Sequence, residues 1–202
     1  MEFNIKYLGF TNYIKTYELM KDFTINRDSK SVDEIWITEH YPIYTLGLTG
    51  NKKHLLSNPY SIPIFTSDRG GQITYHAPGQ VVIYTLIDLF RAKISVKNWI
   101  RKLEEAVITY INNKNQNHKA HRLTGKPGVY VNNQKIAALG LKIKKGRCYH
   151  GISINVNLDL NPFSNINPCG YLDMQVTQLA DLGILQTPNQ VSQTIINYLS
   201  KY

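Results

Sequence analysis

The sequence predicts an α/β (or α+β) single domain in which helices flank a mixed β-sheet. Residues 80–89 are apolar enough for a buried central strand, and residues 150–158 alternate regularly between apolar and polar side chains. Three amphipathic segments accompany these grouped β-rich runs. The 202 residues contain no linker, internal repeat or low-complexity stretch, so we expect residues 1–202 to form one domain with a full core.

The first half of the chain predicts two helices around the β-rich runs. Apolar side chains recur at near-helical spacing over residues 11–27, which indicates the first helix. Residues 34–38 alternate like a strand, and residues 62–67 are rich in β-forming side chains. Ser95 is a suitable N-cap for a second helix that ends near residue 115.

The second half predicts a hairpin, a strand and a third helix. Residues 128–143 are expected to form a hairpin that turns at Asn132 and Asn133, because asparagine tolerates positive φ. The alternating strand at residues 150–158 follows. The last helix should begin at Thr187 and Pro188, a cap followed by a proline at the first helical position. The face that it should bury carries Val191, Ile195 and Leu199.

Composition narrows the class of partner. The net charge of +9 suits nucleic acid, an anionic membrane surface or acidic proteins. Because the sequence has no zinc finger, no RNA-binding signature and no dense Arg/Lys block, acidic proteins are favoured.

No basic leader and no apolar stretch of membrane-spanning length is present, and two cysteines make no disulfide framework. We therefore expect a soluble cytoplasmic protein.

Cys169 is the candidate nucleophile. It stands in the segment Asn-Pro-Cys-Gly of residues 167–170, where proline and glycine favour a turn instead of a core position. Packing cysteines are usually embedded in apolar runs. Cysteines without a partner are more often inert than catalytic, so an inert turn thiol is the alternative.

A glycine-rich segment, residues 67–80, is the candidate ligand-binding loop. Gly70 and Gly71 directly after Arg69 allow the backbone to approach a ligand closely. The segment is not a dinucleotide-binding fingerprint, since it lacks Gly-x-Gly-x-x-Gly at the start of a helix. The alternative is a tight turn whose glycines only satisfy its geometry.

Lys135 follows the predicted hairpin turn and precedes four apolar or small residues. Lysine at such a position is most often exposed to solvent. If the fold brings Lys135 to Cys169, its ammonium would favour the thiolate, and its neutral amine could act as a base. His150 and Gly151 form a further candidate segment. They stand at the start of a predicted strand, where glycine allows close approach of the backbone.

These segments together resemble the lipoyl(octanoyl) transferase family. The matching stretches, in family order over roughly residues 34–180, are residues 69–76, 78–80, 125–131, 135–140, 150–151, 155–156 and 167–170. The resemblance implies the fold shared by lipoate and biotin protein ligases. It places Cys169 on the acyl-accepting cysteine of the family and Lys135 on its partner lysine. It also implies an acyl-binding pocket made of Arg69, Gly70, Gly71, Gln72, Ile73, Thr74, Tyr75, His76, Ala138, Leu139, Gly140, Gly151, Ile152 and Ser153.

The resemblance implies an acyl transfer that begins endogenous protein lipoylation. The octanoyl donor would be acyl carrier protein. The acceptors would be lysines of the lipoyl domains of 2-oxoacid dehydrogenase complexes and of the glycine cleavage H protein. A cysteine thioester would carry the acyl group between them. No metal and no cofactor is implied, because the donor thioester already stores the activation energy, and neither nucleic acid nor membrane is a partner.

Three further expectations follow from this match. Ala77 stands where the family usually has glycine, and Ser153 stands where alanine is common. Cys148 matches no catalytic position, so we expect an inert thiol in a loop or at a strand edge. Among the many lysines, we expect residues 142, 144 and 145 to lie on a turn at the rim of the pocket, where they would steer acidic partners, with a solvated hairpin tip as the alternative.

Three other functions compete with this interpretation. A lipoate–protein ligase on the same scaffold would use ATP and need no nucleophilic cysteine. A non-catalytic module that binds acyl carrier or lipoyl domains would have no use for both Lys135 and Cys169. A nucleic-acid binder related to biotin ligases would require an additional winged-helix domain, for which the chain has no residues to spare.

Overall fold

The computed structural model describes residues 2–115, 117–170 and 174–200, and it describes Cys169 by its backbone alone. In these ranges the chain forms two β-sheets and three α-helices. The described strands are β1 (Phe3–Thr11), β2 (Asp33–His40), β3 (Ile43–Leu46), β4 (Ile64–Thr66), β5 (Ile73–His76), β6 (Gln80–Asp88), β7 (His121–Leu123), β8 (Lys126–Val131), β9 (Gln134–Lys144) and β10 (Arg147–Asn155). The helices are α1 (Tyr13–Asn26), α2 (Val96–Lys114) and α3 (Pro188–Ser200).

The larger sheet has the strand order β1-β2-β6-β10-β9-β8-β7 and is mixed. Strand β1 pairs with β2 in parallel, and the other neighbours are antiparallel. The smaller sheet has the order β4-β3-β5, with β3 parallel to β4 and antiparallel to β5. The predicted class, a mixed sheet flanked by helices, is confirmed.

Strand β6 is buried along its whole length because helices cover both of its faces. Val81, Ile83 and Ile87 belong to the core under α2 and α3. Val82 and Tyr84 alternate with them and pack in the core on the α1 side. A continuous apolar run is the pattern expected of such a central strand.

Side-chain caps start the helices where short polar residues stand. The Asn12 side chain accepts a hydrogen bond from the Lys15 amide (3.2 Å), so the first helix begins after residue 12 and not at residue 11. The predicted cap Ser95 accepts from the Asn98 amide (3.2 Å). Thr187 accepts from the Gln190 amide (3.3 Å) at the start of α3, also as predicted. Each cap satisfies an amide that has no partner inside its helix.

The predicted hairpin is present, and Asn132 and Asn133 both adopt positive φ, 50° and 64°, between β8 and β9. A second hairpin turns at Lys145 and Gly146, between β9 and β10. The lysine triplet was therefore misplaced in the sequence interpretation. Lys142 and Lys144 belong to β9, and of the three only Lys145 occupies the turn.

The sequence interpretation missed β1 and two strands of the small sheet, β3 and β5, whereas residues 62–67, predicted to be β-rich, include β4. Strand β1 lies at the edge of the large sheet and is mostly exposed, although Phe3, Ile5 and Tyr7 alternate with polar residues as in a strand. Strand β3 is only four residues long. The expectation for Cys148 was wrong: it lies within β10, between β6 and β9, and is fully buried. Its thiol donates to the Thr85 carbonyl (3.2 Å), and burial raises its pKa to about 12.

Candidate active site

A cavity lies on the α1 side of the large sheet, where strands β5, β6, β9 and β10 and the glycine-rich loop meet. It contains about 480 Å³ of space free of protein atoms, part of it open to solvent. The sequence-predicted residues that line it are Arg69, Gly71, Gln72, Ile73, Thr74, His76, Ala138, Leu139, Gly140, Gly151, Ile152 and Ser153.

Two of the predicted pocket residues, Gly70 and Tyr75, do not line this cavity. Gly70 lines a neighbouring groove on the α2 side, and its amide donates to the Leu141 carbonyl (2.9 Å). Tyr75 is directed to the opposite side of β5, where it packs against Tyr44 and Phe163. Side chains alternate along a strand, so four consecutive residues of β5 cannot all face one cavity.

Four other side chains complete the cavity: Tyr13, Val82, Tyr84 and His150. Alternation along β6 could have predicted Val82 and Tyr84, because both lie on the face opposite Ile83. The His150-Gly151 segment pointed to His150. No sequence signal placed Tyr13, since its position depends on how α1 crosses the sheet.

Two glycines create the floor of the cavity. Gly140 and Gly151 are opposite one another in the β9–β10 pairing. A Cβ atom at Gly151 would lie 1.9 Å from the Ile83 carbonyl oxygen, and one at Gly140 would lie 2.7 Å from the Gly70 carbonyl oxygen. Both distances are shorter than van der Waals contact, so neither position accepts a side chain without a shift of the backbone.

Arg69 holds the glycine-rich loop in place. Its residue surface is 8% exposed, and its guanidinium donates to the carbonyls of Thr45 (2.6 Å), Gly70 (2.9 Å) and Gln72 (2.7 Å). The Thr45 hydroxyl accepts from Nε (3.1 Å). Multiple carbonyl contacts to one planar cation define the path of the loop over β9.

Lys135 is buried, which differs from the usual environment of a lysine after a hairpin turn. Its residue surface is 3% exposed, and its ammonium donates to the Pro127 carbonyl (3.2 Å) and lies 5.2 Å from the centre of the Tyr130 ring. Backbone bonds with Gln175 (2.9 Å) and Thr177 (3.0 Å) clamp the residue into the sheet.

The turn that carries Cys169 lies at the same end of the cavity as Lys135. The residues Pro168–Gly170 form a 3₁₀ turn that contacts β5. Lys135 and Pro168 together line a small cavity whose wall includes Thr74 and Ala138, two residues that also line the large cavity. The Cys169 side chain lies outside the described residues, so the structure defines its backbone position only.

Contacts with another segment position this turn. The Asn167 amide donates to the His54 carbonyl (2.8 Å), and Gly170 has a φ of +75°. A Cβ atom at Gly170 would lie 3.0 Å from the Gln72 side chain and 3.3 Å from His54 Nε2. The turn therefore adjoins both the glycine-rich loop and the exposed 3₁₀ turn Lys52–His54.

The two departures from the family pattern have simple consequences. Ala77 is buried and its φ is not positive, so alanine causes no backbone strain there. The Ser153 hydroxyl donates to the Ala138 carbonyl (3.5 Å), which partly satisfies it within the wall of the cavity.

Three buried histidines surround the cavity. Burial lowers the pKa of His40 to about 4 and that of His76 to about 3, and it lowers the pKa of His150 against the opposing effect of Asp68. His76 Nδ1 donates to the Gln80 side chain (2.7 Å). At neutral pH all three imidazoles are uncharged, so the walls of the cavity remain suited to an apolar ligand.

No metal site or membrane span accompanies the cavity in the part of the chain that the structure describes. Residues 2–115, 117–170 and 174–200 contain no group of three or more His, Cys, Asp or Glu side chains placed to hold a metal ion. Within the same ranges, every helix is too short or too polar to cross a bilayer.

Sequence comparisons identify related proteins over nearly the whole chain. A family model for the lipoyl protein ligase A/B catalytic domain matches residues 12–200. An octanoyltransferase of Vesicomyosocius okutanii is 48% identical over 96% of this chain and 96% of its own. The octanoyltransferases of Nitrosomonas europaea (46%, covering 97% of each chain) and of Legionella pneumophila strain Corby (47%, covering 95% and 94%) are similar to the same extent.

Solved structures show the same fold at low sequence identity. A lipoate-protein ligase A bound with ATP aligns with a TM-score of 0.81 at 14% identity, covering 100% of this chain and 85% of that one. A biotin protein ligase from Aquifex aeolicus aligns with a TM-score of 0.59 at 13% identity, covering 100% and 68%. These likenesses confirm the predicted ligase-type fold.

The buried histidines predict a specific acid sensitivity of folding. Unfolded histidine binds a proton near pH 6.5, whereas His40 and His76 resist protonation until about pH 4 and 3 when folded. Below about pH 6.5 the unfolded state therefore binds more protons, and stability falls as pH falls, by at most about 1.4 kcal/mol per pH unit for each histidine. Urea unfolding between pH 7 and 5 measures this slope.

The variant His76→Gln should reduce the slope of the unfolding free energy against pH, because it removes one of the two histidines. Ile73→Val, in the same strand, is the matched control: it should lower stability at every pH and leave the slope unchanged. A slope in His76→Gln equal to that of the unmodified protein would contradict the assignment.

Proposed function

Because the chain belongs to the lipoyl protein ligase A/B catalytic-domain family and is an acyltransferase of the octanoyltransferase type, we propose that it transfers the octanoyl group through a thioester on Cys169. The donor is octanoyl-acyl carrier protein. The acceptor is a lysine of a lipoyl domain, from a 2-oxoacid dehydrogenase complex or the glycine cleavage H protein. This reaction begins endogenous protein lipoylation.

One observation supports this proposal above all others: the cavity shares a wall with the small cavity that Lys135 and Pro168 line. Thr74 and Ala138 line both cavities, and Pro168 belongs to the turn that carries Cys169. A chain in the cavity would therefore present its carbonyl carbon next to the turn that carries Cys169. On this side of the sheet, Val82 and Ala138 supply apolar surface for the chain, together with the backbone of Gly140 and Gly151.

The first half of the reaction is a thioester exchange. The Cys169 thiolate attacks the carbonyl carbon, and a new C–S bond forms while the bond to the carrier's phosphopantetheine sulfur breaks. The Lys135 ammonium favours the Cys169 thiolate before attack, since a positive charge nearby stabilises the anion. Lys135 then donates its proton to the departing pantetheine thiolate, which leaves Lys135 neutral for the next step.

The second half forms the amide. Free lysine has a pKa near ~10.4, so the acceptor reacts as the minor neutral amine, and this amine loses one further proton as the amide forms. The acceptor amine attacks the acyl-enzyme carbonyl, the C–N bond forms, and neutral Lys135 takes the proton from nitrogen. The C–S bond to Cys169 breaks, and the thiolate is regenerated beside the Lys135 ammonium. No ATP is consumed, because the thioester is already activated.

We expect partners to dock at a different place from the β9–β10 hairpin tip. Lys144 pairs with Arg147 at the far end of the β9–β10 hairpin, six residues beyond Ala138, which is about 20 Å along the strand. Lys52 and Lys53 are exposed on the 3₁₀ turn that bonds to Asn167, directly beside the cysteine turn. Acidic carrier and lipoyl domains would therefore meet Lys52 and Lys53 first.

Replacing Cys169 tests the covalent intermediate. Cys169→Ser should abolish octanoyl transfer and acyl-enzyme formation, because a hydroxyl is a poor nucleophile without a strong base. Intact-mass and peptide mass spectrometry after incubation with octanoyl-acyl carrier protein measure the adduct. Cys148→Ser is the matched control and should keep most activity, since its thiol is buried. An octanoyl adduct mapped to Cys148 would reverse the assignment.

Two substitutions separate the roles of Lys135. Lys135→Ala should slow alkylation of Cys169 at neutral pH, with recovery of the rate at alkaline pH, because the stabilising charge is lost. Lys135→Arg should keep more of the thiolate but fail in acyl transfer, since guanidinium does not give up its proton. Iodoacetamide kinetics and amide formation are the two measurements. Full transfer activity in Lys135→Arg would remove Lys135 from the role of base.

Charge reversal locates the docking surface. The kcat/KM for octanoyl-acyl carrier protein should fall as salt rises from ~0.01 M to ~0.15 M, while the Debye length shrinks from ~30 to ~8 Å. The double variant Lys52→Glu, Lys53→Glu should raise KM and flatten this dependence. The matched pair Lys144→Glu, Lys145→Glu should have little effect. The reverse pattern would assign docking to the hairpin tip.

A further inference from the structure

His150 has an unusual environment in the wall of the cavity. The ring lies between Tyr17 and Tyr149, with centroid distances of 5.7 Å and 4.9 Å and nearly parallel planes. Its Nε2 is 3.0 Å from an Asp68 carboxylate oxygen, and its side chain is 2% exposed. The backbone of His150 adopts a φ of +64°, a conformation that side chains other than Asn, Asp and His seldom adopt.

The second ring nitrogen of His150 is unsatisfied. Nδ1 is buried and has no hydrogen-bond partner among the residues that the structure describes. A carboxylate only accepts hydrogen bonds, so Nε2 carries the proton and Nδ1 has a free lone pair. A buried acceptor without a donor is uncommon in proteins and requires an explanation.

The neighbouring hydroxyl groups cannot supply the missing donor. The Tyr13 hydroxyl donates to the Ser67 side chain (3.0 Å), and the Tyr149 hydroxyl donates to Asp68. His40 Nδ1 is 3.1 Å from the Thr11 carbonyl and donates to it, so its Nε2 accepts the hydroxyl proton of Tyr84 (2.6 Å). All three protons are used within the protein, so a molecule bound in the cavity can supply the donor that Nδ1 lacks.

His150 lies at the end of the cavity remote from Lys135. Along β9, Lys135 precedes Ala138, which pairs with Ser153, and Leu141, which pairs with His150. Three residues separate Ser153 from His150, about 10 Å at 3.3 Å per residue. An extended octanoyl group spans ~9 Å from carbonyl to terminal carbon, from seven bonds of about 1.5 Å in a zigzag. A chain whose carbonyl lies near Ala138 would therefore end close to His150.

We propose that His150 is a specificity-determining residue whose Nδ1 accepts a hydrogen bond from a hydroxyl group at the distal end of the acyl chain. The cavity then takes medium-length acyl groups hydroxylated at their last carbon in addition to octanoyl. This inference rests on the proposed function, because it requires the cavity to hold the acyl chain. Asp68 acts through His150, since it keeps the proton on Nε2 and the acceptor toward the ligand.

The test compares octanoyl and 8-hydroxyoctanoyl thioesters of acyl carrier protein. The ratio of kcat/KM for the hydroxylated to the plain chain should fall at least about tenfold in His150→Phe, because the hydroxyl would be buried without an acceptor. Tyr149→Phe, which removes a hydroxyl from the same cluster but keeps Nδ1, should leave the ratio unchanged. His150→Asn, which tolerates positive φ, should lower the ratio in the same way and replaces His150→Phe if that variant does not fold.

A measurement on the unmodified protein complements the variants. The ¹⁵N resonance of His150 Nδ1 should move when the enzyme is loaded with the 8-hydroxyoctanoyl group and stay in place with octanoyl. An unmoved resonance, or equal ratios in the unmodified enzyme and both His150 variants, would overturn the inference alone. Failure of both thioesters to acylate the enzyme would instead overturn the proposed function, and the inference with it.

Discussion

The close approach of neighbouring backbone segments at Gly140 and Gly151 is the constraint on which the site depends. Because Gly151 has no Cβ, the Ile83 carbonyl oxygen of β6 can lie only 1.9 Å from the position that a Cβ atom would occupy. Because Gly140 has none, the loop held by Arg69 can pass directly over β9. A side chain at either position would push apart the sheet and the loop that enclose the cavity, and the walls at Ala138 and Thr74 would shift with them.

The cavity combines apolar walls with polar groups that are almost completely satisfied internally. His40 and His76 stay neutral because burial disfavours their charged forms, and their ring nitrogens bond to Tyr84 and Gln80. Such walls suit a hydrocarbon chain, because their histidines stay uncharged at neutral pH. The buried acceptor at His150 is the exception, and it lies at the end of the cavity farthest from Lys135.

The environment of Lys135 is compatible with the two roles proposed for this residue. Its backbone is clamped by Gln175 and Thr177, and its ammonium bonds to the Pro127 carbonyl, so the charged group has a fixed position with little access to water. The proposed exchange and amide-forming steps both require the side-chain nitrogen of Lys135 at a fixed position.

The sequence by itself determined the class of the fold, the three helices with their caps at Ser95 and Thr187, and the hairpin at Asn132 and Asn133, since these depend on local spacing and backbone preference. The residues matched by the family resemblance include most of those that line the cavity. Only the tertiary structure decided that Lys135 is buried and that Tyr13 completes the walls. Those facts depend on how α1 and the small sheet pack against β10, which is a long-range arrangement without a local sequence signal.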